Sequence, residues 1–480
     1  MRLLETLLFT CLFLLCTNFQ SKAQEQLGLR TDNYSGVNSI MLNPANFNSY
    51  ALQWDVNVAG VGVFGENSYG YIKNTRLLDI FRAYPDIQVE GAFDYDNENE
   101  IPDSVLVTDY YTTNRKTYYM GQATILGPSF AIKIGNGQTF GLFTNFRAAS
   151  SSHDIPPSLN FYFWDKTPYY EEIDVSPVKG AAMAWSEIGL NYSKRFETYN
   201  GYMDLGASVK VLQGYEGFFY ENKSRVNITQ IPNDTVSMDG PNMIYGFTTT
   251  NATREIDPKV KQNGIGMAFD LGLVYTIDGD YDTYQWKFGI GVLDIGKIQF
   301  NRNAQFHEVN TDNTVQLNKR DYLELNTLEE AAKLFSYQAF GDSTASLENR
   351  SFGIWLPGAI SLQADYAFTP NIFVNGLIIQ RLGYRTAAVE RGNLVAVTPR
   401  FEHRWFGASL PISLYNYEEF NVGASFRIGF LTFGSENLGS FFRKSDFTGT
   451  DFYFALKVNP FNLNFGGSNN RGKGAKCYYF

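Results

Sequence analysis

The stretch Gly264–Phe300 decides the fold of this chain. It opens with GIGMAFDLGLVY (264–275), in which every second residue is large and apolar: Ile265, Met267, Phe269, Leu271, Leu273 and Tyr275. After the polar turn DGDYD (278–282), the run QWKFGIGV (285–292) alternates again, with Trp286, Phe288, Ile290 and Val292 on one face. Because side chains on a strand point to opposite sides with period two, the stretch predicts a β-hairpin with one continuous apolar face.

The length of each arm and the chemistry of its second face point to a membrane. About nine to eleven tilted residues cross a bilayer as β-structure, whereas an ordinary globular strand has about five or six. The second face is rich in glycine and carries Asp270 and Lys287, which suits the wet interior of a barrel. We expect these two residues either to line a path through the lumen or to pair with other charges and fill a closed lumen.

Composition supports a membrane barrel and excludes one class of partner. The chain has 480 residues, 43 of them glycine and 16% aromatic, and a barrel tolerates such aromatic content because only alternate residues meet lipid. A formal charge of −10 and the lack of a basic stripe argue against nucleic acid, so the predicted partner is membrane lipid. A soluble propeller is disfavoured, because no repeat of about 40–50 residues is found.

The chain divides into four parts. Residues 1–23 read as a signal peptide, with Arg2, an apolar run and the small-residue site Ser21-Lys22-Ala23. Residues 24–50 form an amino-terminal plug or periplasmic segment, residues 51–460 form the barrel, and residues 461–480 form a basic, glycine-rich tail. This order predicts export across the inner membrane and insertion into the cell outer membrane.

Alternation elsewhere in the chain gives about fourteen strands, an all-β transmembrane antiparallel barrel with a short amino-terminal plug segment. Four long connections follow strands one, three, five and seven, at about 64–116, 149–179, 221–262 and 301–350. Tight turns such as Asn136-Gly137 lie between them. Long loops at one end and short turns at the other are typical of outer-membrane barrels. Within the fourth loop, Thr327 and Glu330 predict the capping box of a helix.

The sequence contains no motif that indicates catalysis, so we expect neither an enzyme nor a cofactor. The three histidines have no cysteine or histidine at metal-ligand spacing, and no zinc site is predicted. Two acidic runs, 94–100 and 278–282, could hold Ca²⁺, but solvated turns are the simpler interpretation.

Several short segments resemble known barrel families. Asn43-Pro44-Ala45 resembles the tripeptide before the first strand of FadL-type outer-membrane barrels. Residues 292–300, VLDIGKIQF, resemble a segment of the DUF5723 family of Bacteroidetes barrels, with Ile295 where that family has leucine. Similar matches follow at Leu356-Pro357, Arg404-Trp405-Phe406, Leu410-Pro411 and 434–438.

The resemblance implies a function for the lumen. A FadL-like barrel would pass small hydrophobic molecules, with Asn43, Pro44, Ala45, Asp270 and Lys287 along the plug and the ligand path. The alternative is a structural or secretion-associated barrel that binds a partner protein through its long loops. The residues leave both open.

Overall fold

The computed structural model describes residues 25–50, 52–83, 88–91, 105–111, 113–159, 168–253, 259–279, 284–384 and 387–459. The predicted signal peptide, the tail at 461–480, the acidic run 94–100, and Asp280 and Asp282 of the second acidic run lie outside these residues. No helix among the described residues is long and apolar enough to cross a membrane.

The described strands, in chain order, account for most of the chain. The first ten are β1 (Trp54–Asn67), β2 (Gly70–Thr75), β3 (Gln88–Gly91), β4 (Val105–Tyr110), β5 (Thr117–Leu126), β6 (Ser129–Lys133), β7 (Gln138–Ile155), β8 (Glu172–Val175), β9 (Val178–Thr198) and β10 (Gly201–Asn222). Then follow β11 (Val226–Ile231), β12 (Thr235–Asp239), β13 (Asn242–Thr248), β14 (Gly264–Asp278), β15 (Tyr284–Phe300), β16 (Ala304–Asn310), β17 (Thr314–Asn318), β18 (Leu347–Asn349), β19 (Phe352–Trp355) and β20 (Ala359–Thr369). The last are β21 (Ile372–Arg381), β22 (Leu394–Glu402), β23 (Phe406–Ser409), β24 (Ile412–Tyr415), β25 (Glu419–Val422), β26 (Ala424–Ile428), β27 (Leu431–Ser435), β28 (Ser445–Phe447) and β29 (Gly449–Val458).

The helices are short. They are α1 (Leu27–Arg30), α2 (Asn46–Ser49), α3 (Leu77–Ala83), α4 (Lys319–Leu323), α5 (Leu328–Phe340) and α6 (Leu438–Phe442), with 3₁₀ turns at Gly36–Met41 and Pro157–Leu159. The capping box predicted for α5 is confirmed, since the Thr327 side chain accepts from the Glu330 amide and Glu330 reaches back to the Thr327 amide.

The wall is a closed antiparallel barrel of fourteen strands, as predicted. Several of the fourteen wall strands are interrupted, so that two or three of the labelled segments follow one another in a single wall strand. In order around the barrel, the wall strands are β1, β5 with β6, β7, β9, β10, β13 with β14, β15 with β16, β18 to β20, β21, β22, β23 with β24, β25 with β26, β27 and β29. Pairing of β1 with both β5 and β29 closes the ring, so the wall leaves no free edge. The long connections share one end of the barrel, the loop end, and most of the tight turns share the other, the turn end. The tight turn between β24 and β25 is an exception, because Tyr415 pairs both with Glu419 and with Leu394 at the loop end.

The alternation read from residues 264–275 and 286–292 is confirmed. Phe269 and Leu271 are 48% and 61% exposed on the outer face, while Asp270 is 4% exposed and Lys287 is 6% exposed on the inner face. An aromatic girdle marks the outer surface toward the turn end, where the Trp286 and Tyr366 rings lie 4.5 Å apart. Apolar residues outward and polar residues inward are what a bilayer around the wall requires.

The lumen is occupied by protein, which is one of the two arrangements that the sequence left open. Residues 25–50, here named the luminal segment, lie inside the barrel as three short helical turns. They belong to none of the described sheets, yet Val37, Phe47 and Leu42 are fully buried. The inner face of the wall therefore contacts the luminal segment rather than open water. The segment is stable in this position because the wall shields its apolar side chains from water.

Candidate functional site

Asn43, Pro44 and Ala45 sit against glycines of the wall. An added Cβ at Gly206 would lie 2.5 Å from the Pro44 carbonyl carbon, and one at Gly272 would lie 2.0 Å from Asn43 Oδ1. An added Cβ at Gly289 or Gly291 would lie 3.1 Å from Asn43 Nδ2 or from the Leu42 carbonyl oxygen, respectively. Close approach of the luminal segment therefore explains the inward glycines: a Cβ at Gly206 or Gly272 would clash with it, and one at Gly289 or Gly291 would press against it.

Asn43 ties the segment to two adjacent wall strands. Its Nδ2 donates to the carbonyl oxygens of Leu273 in β14 and Ile290 in β15, each at 3.1 Å, while its Oδ1 accepts from the Ala45 amide at 2.9 Å. From the wall, Asn191 Nδ2 donates to the Pro44 carbonyl at 3.1 Å. The tripeptide singled out in the sequence thus forms the contact between the luminal segment and the middle of the wall.

Asp270 belongs to a buried ion-pair cluster at the centre of the lumen. Lys210 Nζ lies 2.8 Å from Asp270 and 2.6 Å from Asp294, and Arg147 and Arg391 each lie 3.0 Å from Asp294. The Asp294 amide also donates to Asp270 at 2.7 Å. Two carboxylates are thus surrounded by three cations, which is the pairing that buried charges require.

Arg391 joins this cluster to the luminal segment. It lies on the connection between β21 and β22, whose residues 387–391 fold inward and pair with Trp355 of β19. Arg391 Nη1 lies 3.5 Å from Glu25, which also pairs with Arg30 at 3.3 Å. The inward loop and the luminal segment therefore meet at the charges around Asp294.

Lys287 lies apart from this cluster, toward the turn end. Its Nζ donates to Asn33 Oδ1 at 2.9 Å and lies 4.4 Å and 4.0 Å from the ring centres of Tyr50 and Tyr284. The two charges predicted to lie along one path are therefore in different places. Asp270 lies in the central cluster, which reaches the segment through Arg391 and Glu25, whereas Lys287 contacts the segment itself at Asn33 and Tyr50.

A third anchor holds the bend of the segment at the turn end. Arg427 Nε donates to Asp32 at 3.0 Å, and Lys457 Nζ donates to the Tyr34 carbonyl at 2.8 Å. Burial alone would raise the pKa of the Asp32 carboxyl, but Arg427 and Lys457 hold that pKa below its ordinary value. Asp32 therefore stays ionised and keeps the bend fixed.

Asp294, Arg147 and Arg391 were not singled out as site residues in the sequence. A signal for Asp294 was present, because strict alternation after Val292 would turn this carboxylate toward lipid, where a charge is costly. The structure resolves the conflict with a bulge: Leu293 and Asp294 are both buried inward, and Asp294 takes a φ of 56°. Arg147 and Arg391 carry no comparable local signal.

Among the described residues, no group of three His, Cys, Asp or Glu side chains is placed to hold a metal ion. Glu402, next to His403 in sequence, pairs with Arg400 at 2.7 Å.

The fold defines a transmembrane β-barrel whose lumen holds its own amino-terminal segment. The chain belongs to the family of unknown function DUF5723, whose model matches residues 44–436. This confirms the resemblance read from residues 292–300. No curated protein was found to match the chain.

Solved structures similar to this chain include hydrocarbon channels and the translocator domain of an autotransporter. A TodX deltaS2S3 mutant monoaromatic hydrocarbon channel is 10% identical, covers 89% of this chain and 95% of its own, and gives a TM-score of 0.41. The Ralstonia pickettii toluene transporter TbuX is 8% identical over 88% and 94%, with a TM-score of 0.37. The P. putida toluene transporter TodX is 9% identical over 89% and 92%, at 0.38. At these values the likeness does not indicate what the present chain carries.

Proposed function

We propose that the protein is an outer-membrane channel for small hydrophobic molecules, FadL-like in mode, and that the luminal segment is its plug. The observation that supports this proposal is an apolar chamber in the lumen that Leu27 of the segment occupies. Leu27 is fully buried there among Phe64, Tyr118, Met120, Leu377, Leu394 and Tyr415. A hydrophobic molecule of similar bulk could take the place of this side chain once α1 moves.

The segment can move without unfolding the wall. None of its backbone belongs to a described sheet, and its contacts with the wall are side-chain hydrogen bonds, ion pairs and apolar packing. Water can replace such polar contacts, whereas the strand ladder must stay intact for the barrel to remain in lipid. The plug is thus the removable part and the wall the permanent one.

A barrel of this size also needs an occupant. Eight strands already enclose enough space for side chains to fill, while sixteen to eighteen leave an aqueous channel. Fourteen strands enclose a lumen between these limits, and here the luminal segment and residues 387–391 fill it. A barrel with a purely structural role would need no such wide lumen, so the width favours passage.

Blocking the chamber tests the proposal. Ala396 lies on the inner face of β22 in the chamber, and Val397 is the next residue, 48% exposed on the outer face. Cells that produce the protein should accumulate the uncharged fluorophore N-phenyl-1-naphthylamine faster than cells without it. Ala396→Phe should reduce this uptake to background, and the matched variant Val397→Phe should leave it unchanged. Equal uptake with and without the protein would refute transport of this class of molecule.

Removing the plug gives a second test. Deletion of residues 25–50 should produce ion conductance in planar bilayers, because the charges of Asp294 and Lys287 would then face water. A deleted barrel that is folded, as shown by heat-modifiable gel migration, but does not conduct would contradict the role of the segment as plug.

A second candidate function is supported by the loop end. Strands β8, β11, β12 and β17 come from three different long loops and form one four-stranded sheet. Such an ordered surface suits a partner protein better than a mobile loop would. A photo-cross-linking amino acid at Tyr170, which is 69% exposed, should then capture one defined protein. The alternative fails if no defined product forms in whole cells.

A further inference from the structure

Helices α3 and α6, here named the rim helices, lie together at the loop end of the barrel. Helix α3 lies on the first long connection and α6 lies on the connection between β27 and β29, and the two helices pack against each other. Ser440 Oγ of α6 lies 3.0 Å from Thr450 Oγ1 at the start of β29. Asp451 next to it is buried inward, so Thr450 faces outward, on the same face as the exposed Phe452. The rim helices therefore sit where the lipid-facing surface of the wall ends.

The charges of the rim helices are unbalanced. Arg76 Nε, Arg82 Nη1 and Lys444 Nζ lie 3.1, 3.9 and 3.9 Å from one carboxylate, that of Asp79. The side chains of Arg82 and Lys444 are 73% and 55% exposed, whereas the Asp79 side chain is 23% exposed. Three cations around one acid leave positive charge that is directed to the surroundings.

Two large apolar side chains accompany these cations. Phe81 of α3 is 60% exposed and Phe442 of α6 is 69% exposed. Exposed aromatic rings beside lysine and arginine are the side chains found at the boundary between acyl chains and lipid head groups. The apolar and charged groups together match that boundary and continue the lipid-facing surface below them.

We propose that the rim helices bind anionic, phosphate-bearing lipid head groups of the surrounding leaflet. Arg82 and Lys444 contact the head-group charge, while Phe81 and Phe442 insert among the upper acyl chains. This surface is independent of the lumen, so it holds whether or not the barrel transports a solute. It gives the barrel a lipid preference and fixes its depth in the leaflet on the side of β1 and β29.

The test compares lipid preference between charge variants. The full-length protein, in micelles that contain equimolar phosphatidylglycerol and phosphatidylcholine, should retain phosphatidylglycerol preferentially when its bound lipids are counted by native mass spectrometry. A cation at an anionic surface contributes roughly a fivefold preference, so Arg82→Gln with Lys444→Gln should reduce the preference by roughly 25-fold. Inorganic phosphate at millimolar concentration should not displace the lipid, because the aromatic contacts require acyl chains.

A matched variant controls for net charge. Arg225 and Arg320 are 72% and 76% exposed, each pairs with an acid, and each lies by sequence beside the sheet of β8, β11, β12 and β17. Arg225→Gln with Arg320→Gln should leave the preference unchanged. The proposal is overturned if this control pair lowers the preference as much as the rim pair, or if the rim pair has no effect.

Insertion of the aromatic side chains is tested separately. A nitroxide on Phe442→Cys, in a Cys477→Ser chain, should be relaxed by oxygen, which concentrates in lipid, more than by a water-soluble nickel chelate. The reverse result, or a defined protein cross-linked at this cysteine in whole cells, would overturn a lipid-binding role.

Discussion

Replacing Gly272 by alanine should release the luminal segment while leaving the wall folded. The added Cβ would lie 2.0 Å from Asn43 Oδ1 and 2.9 Å from Pro44 Cδ, so the Asn43-Pro44 turn must withdraw. Alanine is accepted within strands, and the wall ladder at this position needs no glycine conformation. The substitution therefore acts on the contact between plug and wall.

The magnitude follows from the contacts that Asn43 loses. Its side chain makes three hydrogen bonds, two to the carbonyls of Leu273 and Ile290 and one from the Ala45 amide. Each bond contributes about 1 kcal/mol net, so the state in which the segment is bound to the wall is destabilised by about 3 kcal/mol. The population of the state in which the segment has left the wall therefore rises by about 150-fold.

Cysteine labelling measures that population. Ser39 is fully buried in the segment and its hydroxyl donates to Gly36 within the same turn, so Ser39→Cys suits as a reporter in a Cys477→Ser chain. A water-soluble maleimide should label it about 150-fold faster when Gly272→Ala is added. Gly376→Ala is the matched control, because its Cβ would face lipid and meet nothing nearer than 3.8 Å. Equal labelling rates for Gly272→Ala and the parent chain would refute the assignment of Asn43 as the anchor of the plug.

Three further predictions concern stability. Phe288→Arg places a charge in the lipid-facing stripe and should cost about 2–4 kcal/mol in urea unfolding from vesicles, whereas Leu323→Arg in α4 should cost almost nothing. Asp294→Asn should cost about 3–5 kcal/mol in the same assay, because three buried cations lose a carboxylate, while the half-exposed Asp234→Asn should change stability by less than about 1 kcal/mol. His307 lies at the loop end, outside the membrane-spanning part of its strand, where Tyr245 contacts both its ring and Phe335 of α5. Burial lowers the pKa of His307 to about 4, with Glu329 acting in the opposite direction. An unfolded histidine takes up its proton near pH 6.5, so the free energy of unfolding of β13 and β16 should be highest above that pH and should fall by about 3 kcal/mol toward pH 4. Hydrogen exchange of the amides in these strands measures this change. His307→Phe should remove this pH dependence, and a parent chain with none would contradict the burial argument.

The sequence alone determined the wall. Alternation is a local property, because a bilayer on one side and a polar lumen on the other impose opposite chemistry on neighbouring residues. Phe269 and Asp270 could therefore be assigned to opposite faces without any knowledge of their partners. The sequence also predicted the tight turn at Asn136-Gly137, and both residues take the positive φ that such turns require.

Only the tertiary structure decided what fills the lumen. Asn43 meets β14 and β15 some 230 and 247 residues away, and Arg147 meets Asp294 across 147 residues. Contacts at such separation leave no periodicity in either partner, so the sequence left open whether Asp270 and Lys287 lined a path or joined a filled interior. The bulge that turns Asp294 inward lies between the two cases. The sequence shows locally that strict alternation would turn the Asp294 carboxylate toward lipid. The three cations that make its inward position favourable, however, are brought there only by closure of the barrel.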